Sequence, residues 1–431
     1  MKKNLLTQAI IAALAAAPLT AFADEAALMQ RVEQLAAELE KVKQELAATK
    51  KKTETVEKRQ DTLANNAAAA PARAEGGTNV GPGTVITGYG EVNYNRPIKD
   101  ASQAQADVRR AVIGIQHRFD EKTKLVSEFE WEHAVTSATD QGESEVEQLY
   151  VEREFDNGLR AKAGLFLIPA GLLNTNHEPT AYYGVERNFV ETAIIPSTWR
   201  EAGFGLSKTL DNGLSWDIGL TTGFDLTKWD ATSTEGRDSP LGSIHQEGQL
   251  AKSRNLSAHG ALNWRGVPGL LLGGSVFTGK AGHSTAGFAA SDARVTLWDL
   301  HARYNPGRLD LSALYARGTI SNTDALNLSF AGNPTPVPSS FYGWYAQAAY
   351  QVWKAADYSL FPFIRYERFN TAKSYSAMPA GLGVAPGSDE GVTTVGANLK
   401  VGEGVVIKAD YQKFKENTAR DRVNFGVGFS F

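Results

Sequence analysis

Apolar side chains recur at every second position along most of this chain, and the end of the sequence shows the pattern most clearly. From Arg422 to Phe431, Val423, Phe425, Val427, Phe429 and Phe431 alternate with Asn424, Gly426, Gly428 and Ser430. A period of two places the two sets on opposite faces of a β-strand. In 404–415, Val405, Ile407, Ala409 and Tyr411 oppose Lys408, Asp410 and Gln412. In 292–304, Trp298, Leu300, Ala302 and Tyr304 oppose Asp299, His301 and Arg303; in 307–317, Leu309, Leu311, Ala313 and Tyr315 oppose Arg308, Asp310 and Ser312. An Arg or Lys facing lipid at the bilayer midplane costs roughly 2–4 kcal/mol. Strands carrying several charges on one face therefore need water on that face, and the apolar face suits lipid.

Short turn signals alternate with long polar stretches from Thr84 onward. The turns are 119–122, 155–158, 210–213, 265–269, 304–307, 354–357 and 401–404; the long stretches are 95–106, 133–144, 168–199, 224–254, 280–291, 318–340 and 370–389, with a short one at 415–419. This predicts an all-β transmembrane barrel over 84–431, with tight turns at one end and long loops at the other. About sixteen antiparallel strands are expected, or eighteen if 224–254 or 318–340 hides a hairpin. Seven short turns place both ends of the barrel on the turn side, expected to be the periplasm. Phe119, Phe155, Trp264, Tyr304, Trp353 and Tyr358 near strand ends suit an interfacial aromatic girdle.

The N-terminus is different. Lys2 and Lys3, the apolar run Leu5–Ala17 and Ala21-Phe22-Ala23 predict a signal peptide over 1–23. Over 24–63, Leu28, Leu35, Val42, Thr49, Val56 and Leu63 recur every seven residues, with Val32, Leu39, Leu46, Thr53 and Gln60 offset by four. This predicts a periplasmic coiled-coil helix and hence an oligomer. Residues 64–83, rich in Ala, Asn, Pro and Gly, read as a flexible linker.

Composition narrows the chemistry. With no cysteine the chain has no disulfide or thiolate chemistry, and a net charge of −4 gives no electrostatic case for nucleic acid. Mean hydropathy is negative, and no mature apolar run is long enough for a spanning helix. Gly274 to Lys280 has phosphate-loop spacing, but Ala281 stands where Ser or Thr is required. The seven histidines show no metal-ligand spacing on any one element, and no Ser, His and Asp pair convincingly. No cofactor, metal or enzymatic activity is expected.

The water-facing strand positions are the main candidate site. Glu128, Glu130, Glu132, Glu152 and Glu154 read as an acidic arc of pore lining; Arg110, Arg118, Arg160, Lys162, Arg365, Lys408, Arg420 and Arg422 read as a basic arc opposite it, with Arg420 and Arg422 near Arg110. The stretch 168–199 is too apolar to stand in solvent, with Leu172, Leu173, Tyr182, Tyr183, Phe189, Ile194 and Trp199. It is expected to fold inward and bring Glu178, Glu186, Arg187 and Glu191 to a constriction.

Together these features resemble a Gram-negative outer-membrane porin. Within that group, Gly164-Leu-Phe-Leu-Ile-Pro-Ala-Gly-Leu, Arg187-Asn-Phe-Val-Glu191 and Trp199-Arg-Glu-Ala-Gly203 resemble the phosphate-selective porin O and P family. The resemblance covers about 84–431. It implies a homotrimer of sixteen-stranded barrels in outer-membrane lipid and lipopolysaccharide, an inward third loop, and a terminal Phe431 that engages the barrel-assembly machinery. The stretch 168–199 carries Arg187 among three glutamates and no lysine, whereas phosphate selectivity in that family rests on arginines and lysines. The expected function is a passive diffusion channel for small hydrophilic solutes and ions. The alternatives are a channel specific for phosphate or small organic anions, an outer-membrane lipase, and a structural tether.

Overall fold

The computed structural model describes the backbone of residues 78–81 and, in full, residues 83–376 and 385–431. The expected signal peptide, coiled coil and most of the linker lie outside the described residues. In chain order the strands are β1 (Thr78–Gly81), β2 (Thr84–Pro97), β3 (Gln105–Arg118), β4 (Thr123–Glu132), β5 (Ser144–Glu154), β6 (Arg160–Leu167), β7 (Arg200–Thr209), β8 (Leu214–Thr221) and β9 (Ser257–Trp264). They continue with β10 (Leu270–Lys280), β11 (Arg294–Tyr304), β12 (Leu309–Ser321), β13 (Pro338–Tyr350), β14 (Trp353–Ala355), β15 (Tyr358–Tyr375), β16 (Glu390–Val401), β17 (Val405–Phe414) and β18 (Arg422–Ser430).

All of these except β1 and β14 join in a ring of sixteen antiparallel strands. Each pairs with the next, and β18 closes on β2 with Phe429 opposite Gly90 and Asn424 opposite Asn95. Closure leaves no unpaired edge, a requirement for a sheet in lipid. At the seam the Phe431 amide donates to the Gly88 carbonyl at 2.9 Å, and the Gly88 amide donates back at 3.0 Å. The rings of Phe431 and Phe429 lie over Gly88 and Gly90, where an added Cβ would come within 2.7 and 2.8 Å of ring carbon. Only glycine admits those rings. The seam with β18 runs from Tyr89 to Pro97, which leaves the first residues of β2 without that partner. Thr78–Gly81, expected within the linker, forms β1 there and pairs with Thr84–Ile86.

The two faces divide as the alternation predicts. Val276, Leu300, Ile364, Val395, Ile407 and Phe425 are exposed on the outer surface, while Asp299, Asp310, Lys408, Asp410, Gln412 and Asn424 are buried on the inner one. The exposed apolar set faces lipid. Phe119, Phe155, Tyr304, Trp353 and Tyr358 are exposed beside the short turns, as a girdle requires.

The long connections do more than link strands. The connection 222–256 buries Phe224, Leu226, Trp229, Leu241 and Ile244. Trp229 donates its indole N–H to the Thr335 carbonyl at 2.9 Å, and the Leu226 amide reaches the Ala281 carbonyl at 2.9 Å. Trp199 stacks on Phe224 (centroids 5.1 Å) and meets Phe277 edge-on (4.6 Å). Connections 222–256 and 322–337 hold the short helices Glu235–Asp238 and Asp324–Ser329 rather than a hairpin, so the strand number is sixteen.

Leu300, 62% exposed in the middle of β11, tests the assignment of faces. Leu300→Arg is expected to lower unfolding stability in bilayers by about 2–4 kcal/mol, read from urea titration of heat-modifiable mobility. Leu300→Phe should leave stability near the wild-type value.

Candidate functional site: segment 168–199 against the polar face of the barrel

The segment between β6 and β7 is bonded to most of the inner wall. Tyr182 donates its hydroxyl to Glu91 on β2 at 2.7 Å, and the Lys408 ammonium on β17 lies 3.5 Å from the centre of the Tyr182 ring. The Val185 amide donates to Asp410 on β17 at 2.6 Å, and the Phe189 amide to Glu367 on β15 at 2.6 Å. Asn398 on β16 donates to the Tyr182 carbonyl at 3.1 Å, and Arg365 on β15 to the Tyr183 carbonyl at 3.1 Å. Gly171 donates to Asp299 on β11 at 3.1 Å, and Thr180 meets Ser430 on β18 at 3.0 Å. A segment leaving the sheet between β6 and β7 is therefore tied to strands on the other side of the ring. The reason is local. Its apolar residues Val190, Ile194, Ile195 and Trp199 are buried with Phe341 and Phe414, and its backbone amides find carboxylates on the wall.

Four segment residues were expected at a constriction. Glu191 is buried and serves the segment itself. It accepts from the amides of Leu172 (2.6 Å) and Leu173 (2.7 Å), from Asn188 (2.9 Å) and from the hydroxyl of Tyr345 (2.9 Å). Burial pushes its carboxyl up, and the bonds from Asn188, Leu173, Tyr345 and Leu172 pull against that. Arg187 is buried too; it donates to the His177 carbonyl at 3.0 Å and to the Ser197 hydroxyl. Glu186 is half-buried and accepts from Asn95 on β2 at 2.9 Å. Glu178 is half-buried next to His177.

The wall charges are interleaved, which corrects the expectation of two opposed arcs. Arg110 sits among carboxylates: Glu91 at 3.0 Å, Glu130 at 3.1 Å and Glu132 at 3.4 Å. Glu152 pairs with Lys124 and Lys162 with Asp217, both at 2.9 Å. Arg365 pairs with Glu367 at 3.0 Å. Opposite charges on adjacent strands lie close enough to satisfy one another, whereas like charges gathered on neighbouring strands would repel at low dielectric. Arg422 is not beside Arg110. It faces Pro97 on β2, and Arg110 faces Glu91, six positions away, or about 20 Å along a strand. Arg420 lies outside the strands in the turn Thr418–Arg420, with its guanidinium 5.3 Å from the Phe189 ring. Arg118 and Glu154 are exposed at the short-turn ends of β3 and β5, and Arg160 is half-buried at the start of β6. Glu128 is buried and accepts from Gln148.

A recess between the segment and β11–β15 is lined by Leu172, Tyr182, Arg303, Tyr345, Gln347 and Arg365. Arg303 is held by both oxygens of Asp310 (2.9 and 2.6 Å). Arg365 is buried and keeps Nη2 without a hydrogen-bond partner. Glu91, Glu147, His177, Arg303, Glu367 and Asp410 join this network without having been singled out as candidate site residues; strand parity had placed Arg303 and Asp410 on the polar face and would have placed Glu91 and Glu367 there too.

No family model matches the chain. An uncharacterised protein of Aquifex aeolicus (strain VF5) is 27% identical over 365 residues, covering 81% of this chain and 80% of that one. Among solved structures, the Salmonella typhi OmpF complex with daunomycin is similar in fold, with a TM-score of 0.55 and 14% identity over 81% of this chain and 97% of that one. The outer-membrane channel DcaP of Acinetobacter baumannii has a TM-score of 0.50 and 12% identity over 82% of this chain and 99% of that one. This chain has the fold of the outer-membrane porins.

Arg110 gives a direct test of the wall electrostatics. Arg110→Met leaves three carboxylates without their shared cation and is expected to cost about 3–5 kcal/mol of unfolding stability, measured by denaturant titration. Recovery in a Glu91→Gln, Arg110→Met double variant is the expected sign that unpaired charge causes the loss.

Proposed function

We propose that the protein is an outer-membrane porin of a Gram-negative bacterium, a passive diffusion channel for small hydrophilic solutes and ions. One observation carries the reading: a closed ring with an apolar exterior and a charged interior is crossed by a segment bonded to its far wall. An apolar exterior suits lipid, a charged interior suits water, and a segment held across the interior suits a size limit. In this reading 168–199 is the constriction. Glu186 and Glu178, half-buried on the segment, meet the passing solute, while Glu191 and Arg187 keep the segment's shape. Both termini face the periplasm, three copies associate with help from the N-terminal heptads, and Phe431 is read by the assembly machinery. In this reading the protein is a channel and not an enzyme.

A second reading, a channel preferring phosphate or small organic anions, is favoured by the recess where Arg303 and Arg365 converge. A zero-current potential of chloride sign in a KCl gradient supports it, and one of potassium sign excludes it.

The chain has no cysteine, so Glu186→Cys carries a single thiol. Attaching a bulky methanethiosulfonate reagent at this position is expected to cut single-channel conductance roughly twofold or more, since a constriction dominates pore resistance. Unchanged conductance after verified labelling would remove the segment from the permeation path.

A further inference from the structure

Glu128 on β4, Glu147 on β5 and His177 on the segment each bring one ligand-capable atom to a common point, and these atoms lie within 4.8 Å of one another. All three side chains are more than nine-tenths buried: Glu128 is 8% exposed, Glu147 0% and His177 5%. Most wall carboxylates around them have a cationic partner. Glu91 and Glu130 have Arg110, Glu145 has Arg200, and Glu152 has Lys124. Among the described residues, no Lys or Arg lies within ion-pair distance of Glu128 or Glu147.

The hydrogen bonds show a surplus of acceptors. His177 Nδ1 is 2.9 Å from the Asn174 carbonyl oxygen. A carbonyl only accepts, so Nδ1 carries a proton and a neutral ring presents its lone pair at Nε2. Nε2 faces Glu147 Oε1 at 2.9 Å, and that oxygen, fully buried, accepts no hydrogen bond. One hydroxyl stands between them: Tyr89, 2.7 Å from Nε2 and 3.0 Å from Glu147 Oε2. A single O–H cannot donate to both the Nε2 lone pair and Glu147, and it reaches neither Glu147 Oε1 nor Glu128.

We propose that this cluster binds a divalent transition-metal ion, with Zn2+ as the best match. An imidazole nitrogen with two carboxylate oxygens is a donor set for Zn2+, while Mg2+ and Ca2+ favour all-oxygen sites. The outer partners are those of a metal site. His177 donates its other ring N–H to a backbone carbonyl, which fixes the tautomer, and Gln148 holds the second oxygen of Glu128. The dication offsets two buried carboxylates. It also joins the segment, through His177, to two adjacent wall strands, near the point where the segment leaves β6. The site does not depend on the channel reading, because binding is measured without transport.

The experiment uses full-length protein folded in detergent, dialysed against micromolar zinc sulfate and then assayed for metal by mass spectrometry. One zinc per chain is expected in the wild type, with affinity reduced at least about 100-fold in Glu147→Gln and in His177→Gln, both checked for heat-modifiable folding. Tyr89→Phe is expected to keep its zinc. If either ligand variant fails to fold, anomalous scattering at the zinc edge from wild-type crystals decides, with density expected about 2.0–2.2 Å from His177 Nε2 and both carboxylates. Wild-type protein without stoichiometric zinc, undiminished zinc in both folded ligand variants, or anomalous density elsewhere would each overturn the proposal.

Discussion

Lipid cannot hydrogen-bond a peptide group, and this single constraint organises the molecule. Every backbone N–H and C=O in the bilayer must find a partner in the sheet, so the sheet must close. The seam between β18 and β2 satisfies the demand, and its details follow from it. Glycines at 88 and 90 make room for the rings of Phe431 and Phe429, and β1 pairs with the stretch of β2 that β18 does not reach. Closure then fixes the two faces. The outer one is apolar, and the inner one holds nearly all the charge.

A charged interior has its own cost, and the wall lowers it by pairing. Arg110 and Arg365 each sit beside a carboxylate on the same or a neighbouring strand, and Lys162 on β6 reaches across β7 to Asp217 on β8. The segment 168–199 uses what remains. Asp410, Glu367 and Asp299 accept its backbone amides, so wall carboxylates double as anchors. The segment's position thus follows from wall chemistry as much as from its own apolar residues. Glu128, Glu147 and His177 are where this pairing stops short.

Much of the fold was legible in the sequence because the strand period is unambiguous where one face is lipid and the other charged. The alternation around Lys408 and Asp410, and around Asp299 and His301, assigned the face of each side chain. The burial of 168–199 was legible from its tyrosines, isoleucines and tryptophan. The pairing of charges was not. Which residue faces which depends on strand register, and a bulge beside Glu91 shifts that register by one. The same limit hid the metal-ligand cluster, since its members come from β4, β5 and the segment and have no shared spacing. The stretch 224–254 was read as a long polar stretch although Phe224, Leu226, Trp229, Leu241 and Ile244 are buried in it. Their spacing follows no single period, because they pack through short turns and 3-10 helices.

Liposome swelling tests the central claim most directly, because it asks whether the wet interior is continuous from end to end. Vesicles containing the folded protein should swell in isotonic small sugars, with rates that fall steeply as the sugar grows. Vesicles that take up no sugar of any size, while holding correctly folded protein, would contradict the account.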